Sequence, residues 1–458
     1  MHTGKIDIEV LMLHLLPLLA FLVAIARLGG WVALRLGQPE VVGEILAGIL
    51  FGPSCLAALW PAGFAHFTNP SVEGLPGGTL PLVIKVLSQI GLVLLLFLIG
   101  LEFDFSHLKV SGWGTAAISL TGMALPFGLG FALGQVFHGP LTQSMEKPPP
   151  PFTFCLFMGV AMSITALPIL GRLLVEWGVA RTRLATIAIT SAAIDDASGW
   201  IFLATVAGFA HAQIEGGTYS ASSLGTMAGL SLAFLALMVW VVRPVLAHIT
   251  RWLLAKNQGQ PSLALLAVLM ITIFGAAAAT SWIGIFAIFG AFLTGAILSG
   301  ERELAMVVQK NLRLFVTAFF LPIFFASTGL RTQIGTLSGV VPVLAAVAVL
   351  GAAVVGKWGG CLVAARYTGF SWREANILGL LMNTRALMEL IVIHVGMELG
   401  VLPDSMFTIL VIMAVVTTVM TTPLVRRFAA GTEFAGLKLD GTLPDEKEQP
   451  RENPPGAG

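Results

Sequence analysis

Charged residues are scarce in this chain, and their scarcity excludes an ordinary soluble domain. Only 11% of the 458 residues are Asp, Glu, Lys or Arg, whereas 56% are hydrophobic. Soluble domains typically carry about 25% charged residues, which they need to cover their surface. The net charge is only +1 at pH 7, so the composition suggests neither a nucleic acid nor an acidic partner.

Cysteine is equally sparse. Cys55, Cys155 and Cys361 lie far apart, in or beside apolar segments. This spacing predicts neither a disulfide framework nor a transition-metal site. Residues 1–9 hold acids as well as one lysine, and no small-residue cleavage site follows the apolar run after them. We interpret that run as a retained membrane span and not as a signal peptide.

Long apolar segments recur from residue 10 to residue 428. In lipid, a helix satisfies its backbone polar groups within one segment, so these runs predict membrane helices. We predict an all-α polytopic membrane protein with about thirteen transmembrane helices. The expected limits are 10–28, 38–54, 80–100, 112–137, 152–174, 182–211, 223–246, 262–281, 284–299, 313–330, 338–365, 373–399 and 404–425.

Lysine and arginine concentrate in alternate connections between these spans. Because cytoplasmic loops retain positive charge, we expect the N-terminus outside and the C-terminus inside. Residues 143–151 are then an outside loop, and residues 429–458 are predicted to form a disordered cytoplasmic tail. The basic connections carry Arg27 and Arg35; Lys109; Arg172, Arg181 and Arg183; Arg243, Arg251 and Lys256; Arg302, Lys310 and Arg313; Arg366 and Arg373; and finally Arg426 and Arg427.

Most charges lie at span ends, and the exceptions are the candidate functional residues. A charge inside a membrane segment costs about 2.5–3.5 kcal/mol on insertion scales unless it is paired or hydrated. We interpret Glu44, His14 and His394 as structural. The other intramembrane charges are Asp195 and Asp196 in the sixth span, Lys357 in the eleventh, and Arg385 and Glu389 in the twelfth.

Asp195 and Asp196 lie near the middle of the sixth span. Neighbouring residues on a helix diverge by about 100°, so the two carboxylates should have different partners. One can hold a cation in a water-filled cavity, and the other can pair with Lys357, the only lysine deep in a span. Burial favours the protonated acid and a cation favours the ionised acid, so proton and cation would compete for one site. The alternative is that both acids only stabilise helix contacts.

Two segments are predicted to interrupt their helices. In the fifth span, residues 161–171 include Thr165 and Pro168, and a proline removes one backbone donor and clashes with the preceding turn. In the twelfth span, residues 381–386 form a polar cluster. An offset of seven spans reverses orientation, which is typical of inverted repeats whose discontinuous helices meet at the midplane. The alternatives are a plain kink at Pro168 and a purely structural pair between Arg385 and Glu389.

Together these motifs resemble the bacterial cation:proton antiporter-2 family, within the monovalent cation/proton antiporter superfamily. The resemblance covers residues 8–428. Glycine-rich pieces are weak signals singly, but their order around a double aspartate is specific. The segments are Val42–Ser54, Leu96–Glu102, Ser163–Pro168, Asp195-Asp196, Phe320–Phe325 with Gly329, and Thr384–Glu389.

The resemblance implies a homodimer in the cell's inner (plasma) membrane that exchanges Na⁺ or Li⁺ for H⁺ electrogenically and serves pH homeostasis. It implies a sodium/proton exchanger domain over residues 1–428, with a dimerisation part about 10–100 and 262–330. The ion-carrying part, about 112–211 and 338–425, would move like an elevator. By analogy, Asp196 binds cation or proton, Asp195 pairs with Lys357, and Thr165 helps to ligate the cation. Membrane lipid is the other partner, no cofactor or transition metal is implied, and the supporting residues are Ser163, Asn383, Thr384, Arg385 and Glu389.

Other functions remain as alternatives. Potassium efflux members of that family carry Gln-Asp at the pair and a nucleotide-sensing domain, whereas this sequence has Asp195-Asp196 and a short tail. A K⁺/H⁺ antiporter or a sodium-coupled symporter with a larger polar cavity stays open. An enzyme is disfavoured, because prenyltransferases need a further acid one turn later and residues 197–200 contain none. An intramembrane aspartyl protease would need a second aspartate on another helix.

Overall fold

The structure is a computed structural model of the chain. It describes residues 6–70, 72, 74–102, 113–143, 145–180, 182–214, 221–257, 262–284, 286–300, 308 and 312–435. Regular structure in these residues is helical throughout, as predicted. Lys109, Arg181, Arg302, Lys310 and tail residues 436–458 lie outside the described part.

The helices are numbered here in chain order. Among the described residues, π-helical stretches interrupt or precede them at Met238–Val242, Val316–Phe320 and Val355–Gly359. The α-helices are α1 (Ile8–Arg35), α2 (Glu40–Leu50), α3 (Leu56–Leu59), α4 (Pro61–Thr68), α5 (Thr79–Glu102), α6 (Trp113–Thr142), α7 (Pro151–Ser163), α8 (Leu167–Glu176), α9 (Arg183–Ile214), α10 (Ala221–Leu237), α11 (Arg243–Lys256), α12 (Leu263–Ile283), α13 (Ala287–Leu298), α14 (Leu321–Arg331), α15 (Val340–Val354), α16 (Gly360–Tyr367), α17 (Trp372–Met382), α18 (Leu387–Glu398) and α19 (Asp404–Ala429).

The chain is a multi-pass membrane protein. In the described residues, ten helical segments are long and apolar enough to cross a membrane. Three further predicted spans coincide with shorter helices, namely α2, α13 and the stretch from Val316 to Arg331. The total of thirteen and the sidedness of the termini stay predictions.

Both predicted interruptions are present. In the fifth span, α7 ends at Ser163 and α8 begins at Leu167, with Pro168 in its first turn, where a missing N–H costs little. In the twelfth span, α17 ends at Met382 and α18 begins at Leu387. Before α18, Ala386 has a φ of 102°, and no other non-glycine residue in the described part has a positive φ. Such backbone is costly and persists only where surrounding contacts fix it.

The helices pack in two groups. In the first group, α1, α2 and α14 pack on one another, and α5 packs on α13 and α14, with α12 against α13. In the second group, α6 packs on α7, α9 and α16, and α17 packs on α9, α16 and α19. The helix α10 contacts α9 of the second group and α12 of the first. Trp200 of α9 also packs across the boundary, against Phe289 and Phe292 of α13.

Glycines of the second predicted span allow unusually close helix packing. A Cβ atom on Gly48 would meet the Ala326 carbonyl group and would lie 2.8 Å from Gly329 Cα, both in α14. A Cβ atom on Gly43 would likewise meet the Gly29 carbonyl group of α1. Small residues let membrane helices approach backbone to backbone, so the glycine-rich motif of residues 42–54 is explained by packing.

The start of the predicted tail is ordered. Phe434 is fully buried, and the Glu433 carboxylate accepts a hydrogen bond of 3.2 Å from the Leu184 backbone N–H at the start of α9. The expectation of disorder from residue 429 is therefore wrong for residues 429–435. Burial of this aromatic side chain removes a large apolar area from water, and Arg373 Nη1 also donates a 2.7 Å hydrogen bond to the Ala430 carbonyl.

We predict that Gly48→Ala destabilises the protein, since an added Cβ forces α2 away from α14. Overpacking of this kind typically costs about 1–3 kcal/mol. Gly351→Ala is the matched control, because a Cβ on Gly351 of α15 meets nothing within 4 Å. Thermal unfolding in detergent should show a lower Tm for Gly48→Ala and an unchanged or raised Tm for Gly351→Ala. Equal Tm values would contradict the close packing.

Candidate functional site

The two interrupted helices meet each other. The Ala166 backbone N–H, between α7 and α8, donates a 3.1 Å hydrogen bond to the Thr384 carbonyl, between α17 and α18. The predicted site residues converge around this crossing, and each has an exposure of 1% or less. They are Ser163, Thr165, Asp195, Asp196, Lys357, Asn383, Thr384, Arg385 and Glu389.

Asp195 is fully bonded. Its Oδ2 atom lies 2.6 Å from Lys357 Nζ and accepts a second hydrogen bond, of 2.7 Å, from Thr165 Oγ1. Its Oδ1 atom accepts a 2.5 Å bond from Ser119 Oγ on α6. Three donors, one of them charged, satisfy this carboxylate and fix its orientation.

Asp196 is the opposite case. In the described part of the chain, neither of its carboxylate oxygens has a hydrogen-bond partner, although the residue is only 1% exposed. The charged groups that face it are the Asp195 carboxylate and the Lys357 ammonium, and the Leu167 N–H at the start of α8 is nearby. A buried carboxylate with so few donors is costly unless it carries a proton or a cation. The adjacent acids therefore have different surroundings, as helix geometry predicts.

Lys357 comes from the π-helical stretch Val355–Gly359, which joins α15 to α16. Such π-helical turns are common at functional sites because they redirect side chains. Besides Asp195, its ammonium group bonds the Ser163 carbonyl at 2.5 Å, the last carbonyl of α7. Lys357 thus joins the carboxylate to a helix end.

Thr165 lies in the interruption between α7 and α8. Its hydroxyl group donates toward Asp195 and toward the Met382 carbonyl, at 2.7 and 3.1 Å. It therefore connects the fifth span, the sixth span and the end of α17. The structure places it on Asp195 and not on Asp196, so its expected role as a cation ligand stays a prediction.

Arg385 and Glu389 are an ion pair, but they do not share a helical turn. Arg385 lies in the interruption before α18, and Glu389 lies in the first turn of α18. Arg385 Nη1 is 3.7 Å from Glu389 Oε2. The pairing that the sequence analysis gave as an alternative is therefore present, although α18 does not extend back to Arg385.

Asn383 and Thr384 line the second interruption. The Asn383 N–H bonds the carbonyls of Gly379 and Leu380 in the last turn of α17. The Oδ1 atom of Asn383 is buried without a partner among the described residues. Thr384 Oγ1 is 3.5 Å from Thr421 Oγ1 on α19. These oxygens face the interior near the crossing of the two spans.

Sequence reasoning missed some contributors to the site. Ser119 bonds Asp195, and Thr418 Oγ1 on α19 accepts a 3.2 Å hydrogen bond from the Arg385 backbone N–H. A single hydroxyl residue in a membrane span carries no distinguishing pattern, so no signal in the sequence could have identified them.

Three residues interpreted as structural lie away from the crossing. Glu44 is 3.7 Å from Arg27. His394 bonds the Leu390 carbonyl at 2.8 Å, and His14 bonds the Val10 carbonyl at 2.8 Å. Each has a local partner, which fits a structural role.

Comparison with known proteins matches nearly the whole helical part of the chain. Residues 18–428 match the family described as sodium/hydrogen exchanger, transmembrane. The chain is 38% identical over 419 residues to the Na⁺/H⁺ antiporter NhaS4 of Synechocystis, covering 90% of this chain and 97% of that protein. It is 28% identical over 429 residues to the Na⁺/H⁺-K⁺ antiporter GerN of Bacillus cereus, covering 92% of this chain and 97% of that protein.

A solved structure has the same fold. The sodium proton antiporter MjNhaP1 of Methanocaldococcus jannaschii superposes with a TM-score of 0.58 at 14% identity, over 93% of this chain and 99% of that one. The match of the family over residues 18–428 and the close relationship to NhaS4 lead to one conclusion. This chain belongs to the sodium/hydrogen exchanger transmembrane family.

Proposed function

We propose that this protein is a secondary active transporter that exchanges Na⁺ or Li⁺ for H⁺ across the inner (plasma) membrane of the cell. The observation that carries the proposal is the buried Asp196 carboxylate, which has no hydrogen-bond partner among the described residues, beside Asp195, which has three donors. The full-length similarity to Na⁺/H⁺ antiporters supports it.

Competition at Asp196 gives the exchange. At low pH a proton neutralises this carboxylate, and at higher pH a monovalent cation takes its place. A bare carboxylate and nearby backbone carbonyls are oxygen ligands, which hard cations prefer. Because proton and cation exclude each other at one carboxylate, movement of one across the membrane is coupled to return of the other.

Electrogenic exchange needs a second proton, and we assign it to Lys357. A cation arriving at Asp196 repels the neighbouring ammonium and favours release of its proton. The bond from Lys357 to Asp195 would then break and reform in each cycle. With Lys357 permanently charged, one cation would exchange for one proton and no net charge would move.

We infer that the second group carries the ion by an elevator movement against the first, within a homodimer, and the separation of the helices into two packing groups supports the movement. Two ion pairs join the groups. Arg172 of α8 is 2.9 Å from Glu40 of α2, and Lys85 of α5 is 3.1 Å from Glu398 of α18. A sliding movement would have to exchange these pairs, the 3.5 Å contact between Thr328 and His394, and the packing of Trp200 on α13.

K⁺/H⁺ exchange is the second candidate. The name of GerN includes K⁺ beside Na⁺, and that protein is similar to the chain over nearly its whole length. A buried carboxylate binds K⁺ and Na⁺ with the same chemistry, so selectivity depends on the spacing of the remaining oxygen ligands.

We expect proteoliposomes with an imposed pH gradient to lose that gradient when Na⁺ or Li⁺ is added, as a pH-sensitive dye would report. The Asp196→Asn variant should give only the signal of protein-free vesicles, since an amide cannot exchange a proton for a cation. Dissipation by K⁺ in place of Na⁺ would select the second candidate. Full activity of Asp196→Asn would remove this carboxylate from the ion site, and no wild-type response to any of the cations would refute the proposed exchange.

We expect Lys357→Ala to retain some exchange but to lose its dependence on membrane voltage, because the second proton carrier is gone. Solid-supported membrane currents measure the charge moved per cycle. Lys85→Ala is the matched control, since Lys85 pairs with Glu398 away from the crossing. Currents of wild-type size from an active Lys357→Ala protein would refute its role.

We expect a covalent link between the two groups to stop exchange. The pair Glu40→Cys with Arg172→Cys joins them, whereas Glu40→Cys with Arg27→Cys stays within the first group. A thiol-reactive cross-linker should inhibit only the first pair, in a Cys55→Ser background, and reductant-cleavable linkers should restore flux. Full activity of the linked first pair would exclude the elevator.

A further inference from the structure

Trp200 lies four residues after Asp196 in α9, so the two side chains share one face of the helix, one turn apart. The Trp200 side chain is 4% exposed and packs across the boundary between the two groups. Its ring centroid lies 5.7 Å from that of Phe289 and 5.4 Å from that of Phe292, both on α13 of the first group. The face of α9 that carries Asp196 is therefore turned toward the first group.

The helix α13 is a firm support for these rings. A Cβ atom on Gly100 of α5 would meet the Phe292 carbonyl, and one on Gly290 would meet the Ala276 carbonyl of α12. Helices that pack backbone to backbone in this way have little room to shift. Phe289 and Phe292 lie on the partly exposed side of α13, whereas Gly290 is buried. The first group thus presents two firmly held aromatic rings at the boundary.

Trp200 is held from the opposite side by the second group. A Cβ atom on the preceding Gly199 would lie 2.9 Å from the Ile164 side chain, in the interruption between α7 and α8. In the described part of the chain, Trp200 Nε1 has no hydrogen-bond acceptor. Its ring therefore meets α13 through apolar contacts alone, which can separate without the loss of a hydrogen bond.

We propose that Trp200 couples the two ion movements: its ring fills the gap between Asp196 and α13 and closes one of the two ways to the carboxylate. This inference rests on the proposed exchange at Asp196. The rings of Trp200, Phe289 and Phe292 offer no oxygen ligand to a cation, and an apolar constriction excludes hydrated ions. An ion on Asp196 can therefore leave past Trp200 only after the second group has moved and separated the rings.

Loss of the indole ring leaves both ways to Asp196 open in one conformation. A cation and protons then pass the carboxylate without any movement of the second group, and each runs down its own gradient. This leak differs measurably from slow exchange. A slow but coupled transporter still builds the full pH gradient from a given Na⁺ gradient when enough protein is present, whereas a leaky transporter never does.

The experiment measures the steady pH gradient that a fixed Na⁺ gradient builds in proteoliposomes, at rising ratios of protein to lipid, with thiocyanate present to remove the membrane voltage. Trp200→Ala should reach a plateau well below that of the wild type. Phe289→Ala opens the other side of the same contact and should also lower the plateau, and the double variant should fall no further than the lower single variant. Trp200→Phe keeps an aromatic ring and should restore most of the gradient. Trp282→Ala is the matched control and should reach the wild-type plateau, because Trp282 of α12 is 89% exposed.

A purely structural role for Trp200 gives a different result. Trp200→Ala would then lose rate and Tm but would still reach the wild-type plateau at a higher ratio of protein to lipid, and this result would overturn the proposal. If Trp200→Ala does not fold, Phe289→Ala decides the matter, because a wild-type plateau for that variant refutes the seal. Wild-type protein that builds no pH gradient from Na⁺, Li⁺ or K⁺ would instead refute the proposed exchange itself.

Discussion

The ion pair between Lys357 and Asp195 is the contact on which the rest of the site depends. It lies at 2.6 Å with both side chains fully buried, so removing either partner would leave an uncompensated charge in the membrane interior. Asp195 accepts from three donors, whereas Asp196 has no hydrogen-bond partner among the described residues. Two adjacent acids on one helix therefore have very different surroundings.

Interrupting two helices inside a membrane exposes backbone groups that lipid cannot solvate. The protein satisfies these groups with side chains and with the other interruption. The Met382 carbonyl at the end of α17 accepts from Thr165, and Ala166 bonds Thr384. The interruption in the fifth span therefore also contacts the ion site, because Thr165 bonds Asp195.

Much of this arrangement could be predicted from the sequence. Charged side chains are costly to bury in lipid, whereas long apolar runs are stable there as helices. Those penalties identify Asp195, Asp196 and Lys357 without any structure, and Pro168 with the polar cluster at 383–385 marks both interruptions. Lengths of ordinary spans follow from the same rule. These predictions depend only on local composition, which a single sequence displays.

The rest depends on which residues face each other across distant spans. The bond from Ser119 to Asp195 joins residues 76 positions apart, and that from Arg385 to Met162 joins residues 223 apart. Helix rotation by one residue would change both partners, and a sequence does not fix that rotation. Arg385 and Glu389 do pair, as the sequence allows, but Arg385 lies before α18, which begins at Leu387.

The buried charged side chains around the crossing nearly cancel one another. Asp195, Asp196 and Glu389 are buried acids, and Lys357 and Arg385 are buried bases, so the fully ionised cluster has a charge of −1. One proton or one monovalent cation brings it to zero, whereas a divalent cation would leave a buried charge of +1. Burial therefore favours monovalent exchange on electrostatic grounds alone. If Lys357 also releases its proton, the cation-loaded cluster keeps a charge of −1, and that difference of one charge between loaded forms makes the exchange sensitive to voltage.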